Sequence, residues 1–166
     1  MTKMVKYKDG DFIEYEILPL VDYYDPILRQ PTIPFNFDTA TSSEVDHIMY
    51  SLTETMEKEG GLGLSANQVG LNKRVCAINM GSQIWVMFNP YIVEKSEEKA
   101  QFSEGCLSYP GLFLKVDRSN HIKVKFQAAG GQEIEKEFDG LTAVVVQHEI
   151  DHLDGIAFTD KVSPIK

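Results

Sequence analysis

Cysteine is scarce in this chain, and long apolar runs are absent. Only Cys76 and Cys106 occur among 166 residues, so at most one disulfide can form. No stretch approaches membrane-spanning length, and no basic start leads into the apolar segment of a signal peptide. Without an export signal, the expected setting is a reducing cytoplasm with both thiols free. A free thiol there is available as a metal ligand. Positive charge is also in short supply: 16 Lys and Arg face 25 Asp and Glu, a net charge of -9. That balance argues against nucleic acid or an anionic membrane surface as a main partner. Repeats, low-complexity tracts and linkers are missing as well.

What is present suits one domain of ordinary size spanning residues 1–166, with 43% hydrophobic and 25% charged residues. Residues 1–16 are charged and irregular and read as an N-terminal extension without implied order. Asp25-Pro26-Ile27-Leu28-Arg29 is a turn leading into a short helical start, after which Pro31 and Pro34 force extended chain. Thr41 with Glu44 three residues later predicts a capping box. Val45, Ile48, Met49, Leu52 and Met56 then recur at helical spacing until Gly60-Gly61. Gly61 to Gln68 reads as a loop of small residues. Short β-rich runs follow at Val75–Ile78, Ile84–Phe88 and Tyr91–Val93, with Asn89-Pro90 as punctuation. Ile122, Val124 and Phe126 alternate with polar residues, Gly130-Gly131 turns the chain, and Glu133–Phe138 returns as a hairpin partner. A second helix is expected from a cap near Asp139 to about Leu153, with Gly155 beyond it. Leu141, Val144, Val145, His148 and His152 share one of its faces, and Val146, Ile150 and Leu153 the opposite one. A helix apolar on both sides is central. The fold class is therefore α+β: short, mostly antiparallel sheets packed around a central helix.

That helix carries the most informative string, His148-Glu149-Ile150-Asp151-His152. Two histidines four apart lie one turn from each other and can reach one metal ion. Glu149 can then sit beside the water that the metal activates and move its proton. A catalytic tetrahedral metal usually takes three protein ligands. Candidates for the third are Cys106, Cys76, His47, His121 and the acidic residues. Cys106 lies in the Gly- and Pro-punctuated stretch Ser103–Pro110, where a thiolate can be presented. Cys76 lies in the apolar run Val75–Ile78 and reads as a small buried hydrophobe. His47 and His121 read as solvated or structural.

Three strings resemble, in order, the three signature motifs of the peptide deformylase family: Gly61-Leu62-Gly63-Leu64-Ser65-Ala66-Asn67-Gln68, Glu104-Gly105-Cys106-Leu107-Ser108, and Gln147-His148-Glu149-Ile150-Asp151-His152. Asp25–Arg29 resembles the family's N-terminal segment, so the likeness runs from about Ile17 to Lys166. Three motifs in order are far more specific than any one. The resemblance implies hydrolysis of the formyl group from the N-terminal formylmethionine of nascent or short peptides. It implies Cys106, His148 and His152 as metal ligands and Glu149 as general base and acid. Gln68 and the backbone N–H of Leu107 would donate to the oxyanion. Substrate contacts would come from Gly63 and Gly105 in the motifs, and from an apolar wall of Leu62, Phe102, Leu141, Val144 and Val145. Family members commonly use Fe²⁺ in the cell and accept Zn²⁺, Ni²⁺ or Co²⁺. Formylmethionyl peptides are the implied partners of what is expected to be a monomer. Ribosome contact in some members runs through a C-terminal helix, whereas this chain stops at Lys166 soon after Ser163-Pro164. Ser65 stands where the family most often has alanine, a small-for-small change that activity should survive.

Two rival readings make different demands. A zincin-like metallopeptidase would share the metal and Glu149, but a cysteine ligand upstream of the helix and the lack of a longer substrate-cleft domain argue against it. A structural zinc or interaction module would fill all four positions with protein ligands and would not need Glu149. No fourth ligand lies near the motifs.

Overall fold

A computed structural model describes residues 3–162. The expectations resting on the first two residues and on Ser163-Pro164 and beyond lie outside that range. The described chain is mixed α and β. β1 (Lys3–Lys8) and β2 (Asp11–Glu16) form a hairpin. Helix α1 (Ser42–Glu59) follows, then β3 (Gly63–Ser65), β4 (Val75–Asn79), β5 (Ile84–Lys95), β6 (Lys99–Cys106), β7 (Tyr109–Ser119), β8 (His121–Gln127), β9 (Glu133–Asp139) and helix α2 (Gly140–Leu153). The main sheet is antiparallel in the order β3-β4-β5-β8-β9, and β6 pairs with β7 in a separate ribbon.

The run Val75-Cys76-Ala77-Ile78 is apolar throughout because β4 is covered on both faces. Val75 and Ala77 join a core with Ile48, Leu52 and Met56 of α1. Cys76 and Ile78 join a second core with Ala143, Val146, Ile150 and Leu153 of α2. The two helices thus cover opposite faces of the main sheet. Leu52 is fully buried, and truncating such a side chain to alanine costs about 2–5 kcal/mol. Beyond the sheet, α2 also meets β6 and β7. Ten of its fourteen residues are buried, among them Gln147, His148, Glu149, Asp151 and His152.

Several expectations need correction. The segment read as irregular at the N-terminus is ordered from Lys3. Asp9 and Gly10 both take positive φ (52° and 91°), as a two-residue hairpin turn requires. Ile13 and Tyr15 then turn inward onto α1. Asn89-Pro90 does not break the chain. β5 runs through it with irregular register, and Asn89 absorbs the kink at φ 51°. Thr41 does cap α1, its Oγ1 accepting from Glu44 N at 3.1 Å. The Glu44 carboxylate, however, accepts from Lys73 Nζ at 2.8 Å instead of closing the box. Asp139 precedes α2, but its carboxylate meets His121 Nδ1 at 2.6 Å and does not cap the helix. The supposed loop Gly61–Gln68 contains β3 and the start of a 3₁₀ turn, Ala66–Val69.

Candidate active site

The helical spacing of α2 brings His148 and His152 together, with their Nε2 atoms 3.2 Å apart. Cys106, the last residue of β6, lies with its Sγ 3.2 Å from His152 Nε2. Among the described residues, Cys106, His148 and His152 form a group whose ligand atoms all lie within 4.8 Å of one another. Ligands about 2.0–2.3 Å from a tetrahedral ion stand about 3.3–3.8 Å from each other, close to these separations. The donor set is one thiol and two imidazoles, which suits a divalent transition metal. The other candidates are elsewhere. Cys76 is fully buried in β4, and burial pushes its thiol well up. His47 Nδ1 lies 3.0 Å from the carbonyl oxygen of Glu14, and His121 pairs with Asp139.

Behind the ligands lies a buried ionic network. His148 Nδ1 is 2.9 Å from Glu104 Oε2. Arg118 clamps the same carboxylate with two bonds, Nε to Oε1 at 2.7 Å and Nη2 to Oε2 at 2.9 Å. The Arg118 guanidinium also bonds Asp151, whose other oxygen accepts from Lys161 at 2.8 Å. Burial opposes a charge on Glu104, but the hydrogen bonds from Arg118 and His148 outweigh it and hold its carboxyl below the usual range. Burial likewise opposes a charge on His148, yet Cys106 and Glu104 outweigh it and push the imidazole up to about 10. Burial, followed by the neighbouring His148, drives His152 well down. The metal fit rests on the donor set, one thiol and two imidazoles whose ligand atoms lie within 4.8 Å of one another. The residues fit a metal.

Glu149 is buried, and one of its carboxylate oxygens has no hydrogen-bond partner. Burial raises its carboxyl to about 7, with Glu104 adding to the rise and His148 opposing it. Such a group both takes and returns a proton near neutrality. Gly63 lies against it. Gln68, from the 3₁₀ turn, points Nε2 at Cys106 Sγ (3.6 Å) and donates to Ser108 Oγ at 3.0 Å. A cavity of about 700 Å³ opens over these groups. Its lining includes every predicted substrate-contact residue: Leu62, Gly63, Phe102, Gly105, Leu141, Val144 and Val145, together with Gln68, Cys106, Leu107, His148 and Glu149. His152 lies behind it. The lining also includes Phe113, whose ring covers Gly105; a Cβ there would meet it at 2.7 Å. Phe113 lies on the exposed side of β7, opposite the inward-facing Leu114 and Val116, so alternation gives it no role in the core. Glu104 and Asp151 lie inside the quoted motifs, but their common partner, Arg118, has no local signal.

One thiol and two imidazoles around a single point, a buried carboxylate beside them and an apolar cavity above define a hydrolase of the metal-dependent kind. The sequence model of the polypeptide deformylase family matches residues 17–166. The peptide deformylase of Cellvibrio japonicus is 40% identical over 153 residues, covering 90% of this chain and 89% of that protein. The peptide deformylase of Thermotoga maritima is 38% identical over 143 residues, covering 86% and 85%. The crystal structure of Thermotoga maritima peptide deformylase superposes with a TM-score of 0.84 at 35% identity, covering 90% of this chain and 99% of that one. A Met-Ala-Ser-bound peptide deformylase from Acinetobacter baumannii superposes with a TM-score of 0.84 at 32% identity, covering 89% and 99%. The chain belongs to the polypeptide deformylase family.

Proposed function

We propose that this chain removes the formyl group from the N-terminal formylmethionine of nascent or short peptides, releasing formate, with Cys106, His148 and His152 as the metal ligands. The family makes it a hydrolase and makes a zincin-like peptidase the disfavoured alternative. The single observation that carries the assignment of residues is the convergence of Cys106, His148, His152 and Glu149 at one end of an apolar cavity.

The divalent ion supplies Lewis-acid activation of water and carbonyl when bound. Glu149 accepts the proton of the attacking water, for which its raised carboxyl is suited. The formyl oxygen becomes an oxyanion as its carbon turns tetrahedral. Gln68 Nε2–H and the N–H of Leu107 donate to it, the Gln68 amide being held in place beforehand by its bonds to Ser65. Glu149 then returns its proton to the leaving amine, and formate departs. Leu62, Phe102, Leu141, Val144 and Val145 hold the methionine side chain, and Gly63 and Gly105 offer main-chain contacts to the peptide backbone.

Fe²⁺ is the cellular metal in this reading, with Zn²⁺, Ni²⁺ or Co²⁺ as substitutes. The α2 helix acts as the central scaffold carrying the HExxH motif. Residues 1–166 work as one catalytic domain, with 1–16 as an extension of it. The protein acts as a monomer in the cytoplasm, on nascent chains near the ribosome. No helix among the described residues is long and apolar enough to cross a membrane. The test is formate release from a formyl-Met peptide by the protein loaded with defined metals. Formate release that requires metal supports the reading. Cleavage of unformylated peptide bonds without formate release would overturn it.

A further inference from the structure

Ser65 is fully buried at the end of β3, and Gln68 is buried one turn later. The oxygen of the Gln68 carboxamide, Oε1, accepts two hydrogen bonds from Ser65: from its backbone N at 2.9 Å and from its hydroxyl at 2.9 Å. The other end of the same amide faces the site, with Nε2 at Ser108 Oγ and Cys106 Sγ.

A carboxamide has two ends of nearly equal size, and only its hydrogen bonds decide which end points where. Turned over, Gln68 would set its N–H groups against the Ser65 backbone N–H, which is a donor only. The oxygen would then face the place where negative charge develops. The backbone bond therefore selects the useful orientation. The hydroxyl adds a second bond to the same oxygen, which narrows the amide's motion. Accepting at the carbonyl also makes the amide N–H bonds better donors.

We propose that Ser65 is a positioning residue for deformylation: it grips the Gln68 carboxamide by its oxygen, so that Nε2 faces Ser108 and Cys106 at the site, where the formyl oxygen takes over one of these N–H bonds. The inference rests on Gln68 being the oxyanion donor. Ser65 and Gln68 also form a capping box for the 3₁₀ turn, which is a sufficient reason for the backbone bond. A capping role alone does not call for a hydroxyl that donates into the side chain of the residue it caps.

The test is a double-mutant cycle with Ser65→Ala and Gln68→Ala. Ser65→Ala removes the hydroxyl bond and keeps the backbone bond. It should lower kcat roughly three- to tenfold, the range of one ordinary hydrogen bond, and leave KM for a formyl-Met peptide within about twofold. In the Gln68→Ala background the same change should have no effect on kcat. Ser65→Cys, close in size but a weak donor, should fall between serine and alanine. In ¹⁵N-resolved NMR of the metal-loaded protein, the Gln68 side-chain amide protons should shift upfield in Ser65→Ala. A pure turn-capping role would lower the melting temperature and leave kcat and those resonances unchanged, which would overturn the inference. So would an equal loss in both Gln68 backgrounds. If Gln68→Ala itself keeps full turnover, the oxyanion assignment of Gln68 fails first, and the inference falls with it for a distinguishable reason.

Discussion

A methyl group on Gly63 would lie 2.5 Å from Glu149 Oε1 and 2.7 Å from its Cγ. The glycine of the first motif is thus the floor beneath the carboxylate of the third, and no side chain fits between them.

Gly63→Ala should therefore displace Glu149 or push β3 outward. Overpacking of this kind costs about 1–3 kcal/mol of stability. A displaced base should also cost turnover, on the order of ten- to a hundredfold, within the reach of one general acid–base group. Metal content should stay normal, because Gly63 touches none of the ligands' donor atoms. Kinetics, metal analysis and thermal melting on one preparation check this. Wild-type turnover would mean that Glu149 has room to move without consequence.

Glu149→Gln should keep the metal and the fold and lose turnover by about 10²–10⁴-fold, since the amide cannot accept the water's proton. The melting temperature should not fall. Glu149 is buried with an unpartnered carboxylate oxygen, and burial raises its pKa. Its charged form therefore opposes folding, and a neutral amide removes that penalty. A variant with metal bound and near-normal turnover would remove Glu149 from its role.

The string His148-Glu149-Ile150-Asp151-His152 was legible because it is local: its two histidines and Glu149 fall within five residues on one helix. Glycines and cysteine at fixed places in two further strings made the family legible. The β8–β9 hairpin was legible from alternation, since Ile122, Val124 and Phe126 are buried on one face. The β6–β7 ribbon was not. Burial does alternate along β6 and along Leu114–Arg118 of β7, but the inward positions include Glu104, Cys106 and Arg118, while the apolar Leu112 and Phe113 are exposed, so hydrophobicity does not follow that alternation. The N-terminal hairpin carried a readable signal in Asp9-Gly10 flanked by Phe12, Ile13 and Tyr15, but its many charges masked it. Arg118 was invisible for a different reason. Its partners Glu104 and Asp151 lie 14 and 33 residues away, and only the fold joins them.

Arg118→Met tests that network. Arg118 is 3% exposed and stands between two buried carboxylates. Removing it leaves both without their main partner, a loss of about 3–5 kcal/mol for a broken buried pair. Glu104 then lacks the clamp that aims it at His148 Nδ1, so metal should be held roughly 10–100-fold more weakly. Chemical denaturation and competition with a chelator measure the two effects. A stable variant with unchanged metal affinity would reduce Arg118 to a surface-like ion pair.

Cys106→Ser should change which metal is held. A thiolate is a softer donor than a hydroxyl, so zinc and iron should be bound more weakly than in the parent. Apo protein loaded with each metal in turn, followed by metal analysis, reads this directly. Unchanged affinity and preference would make Cys106 a turn residue only.

Val145→Asp addresses the substrate pocket. Val145 is half-buried, lines the cavity with Val144 and Leu141, and leans on the core that α2 shares with the main sheet. A carboxylate there would face an apolar methionine side chain without a partner. Burying an unpaired polar group costs on the order of 1–3 kcal/mol, so KM for formyl-Met peptides should rise roughly ten- to a hundredfold. Its contact with the core gives the competing outcome, in which the protein loses stability while the folded fraction binds as before. Melting and kinetics on the same protein separate the two. Substrate series sharpen the result: the penalty should be larger for formyl-Met than for formyl-Ala peptides, because alanine does not reach the wall. A stable variant that cleaves both in the wild-type ratio would take Val145 out of the pocket.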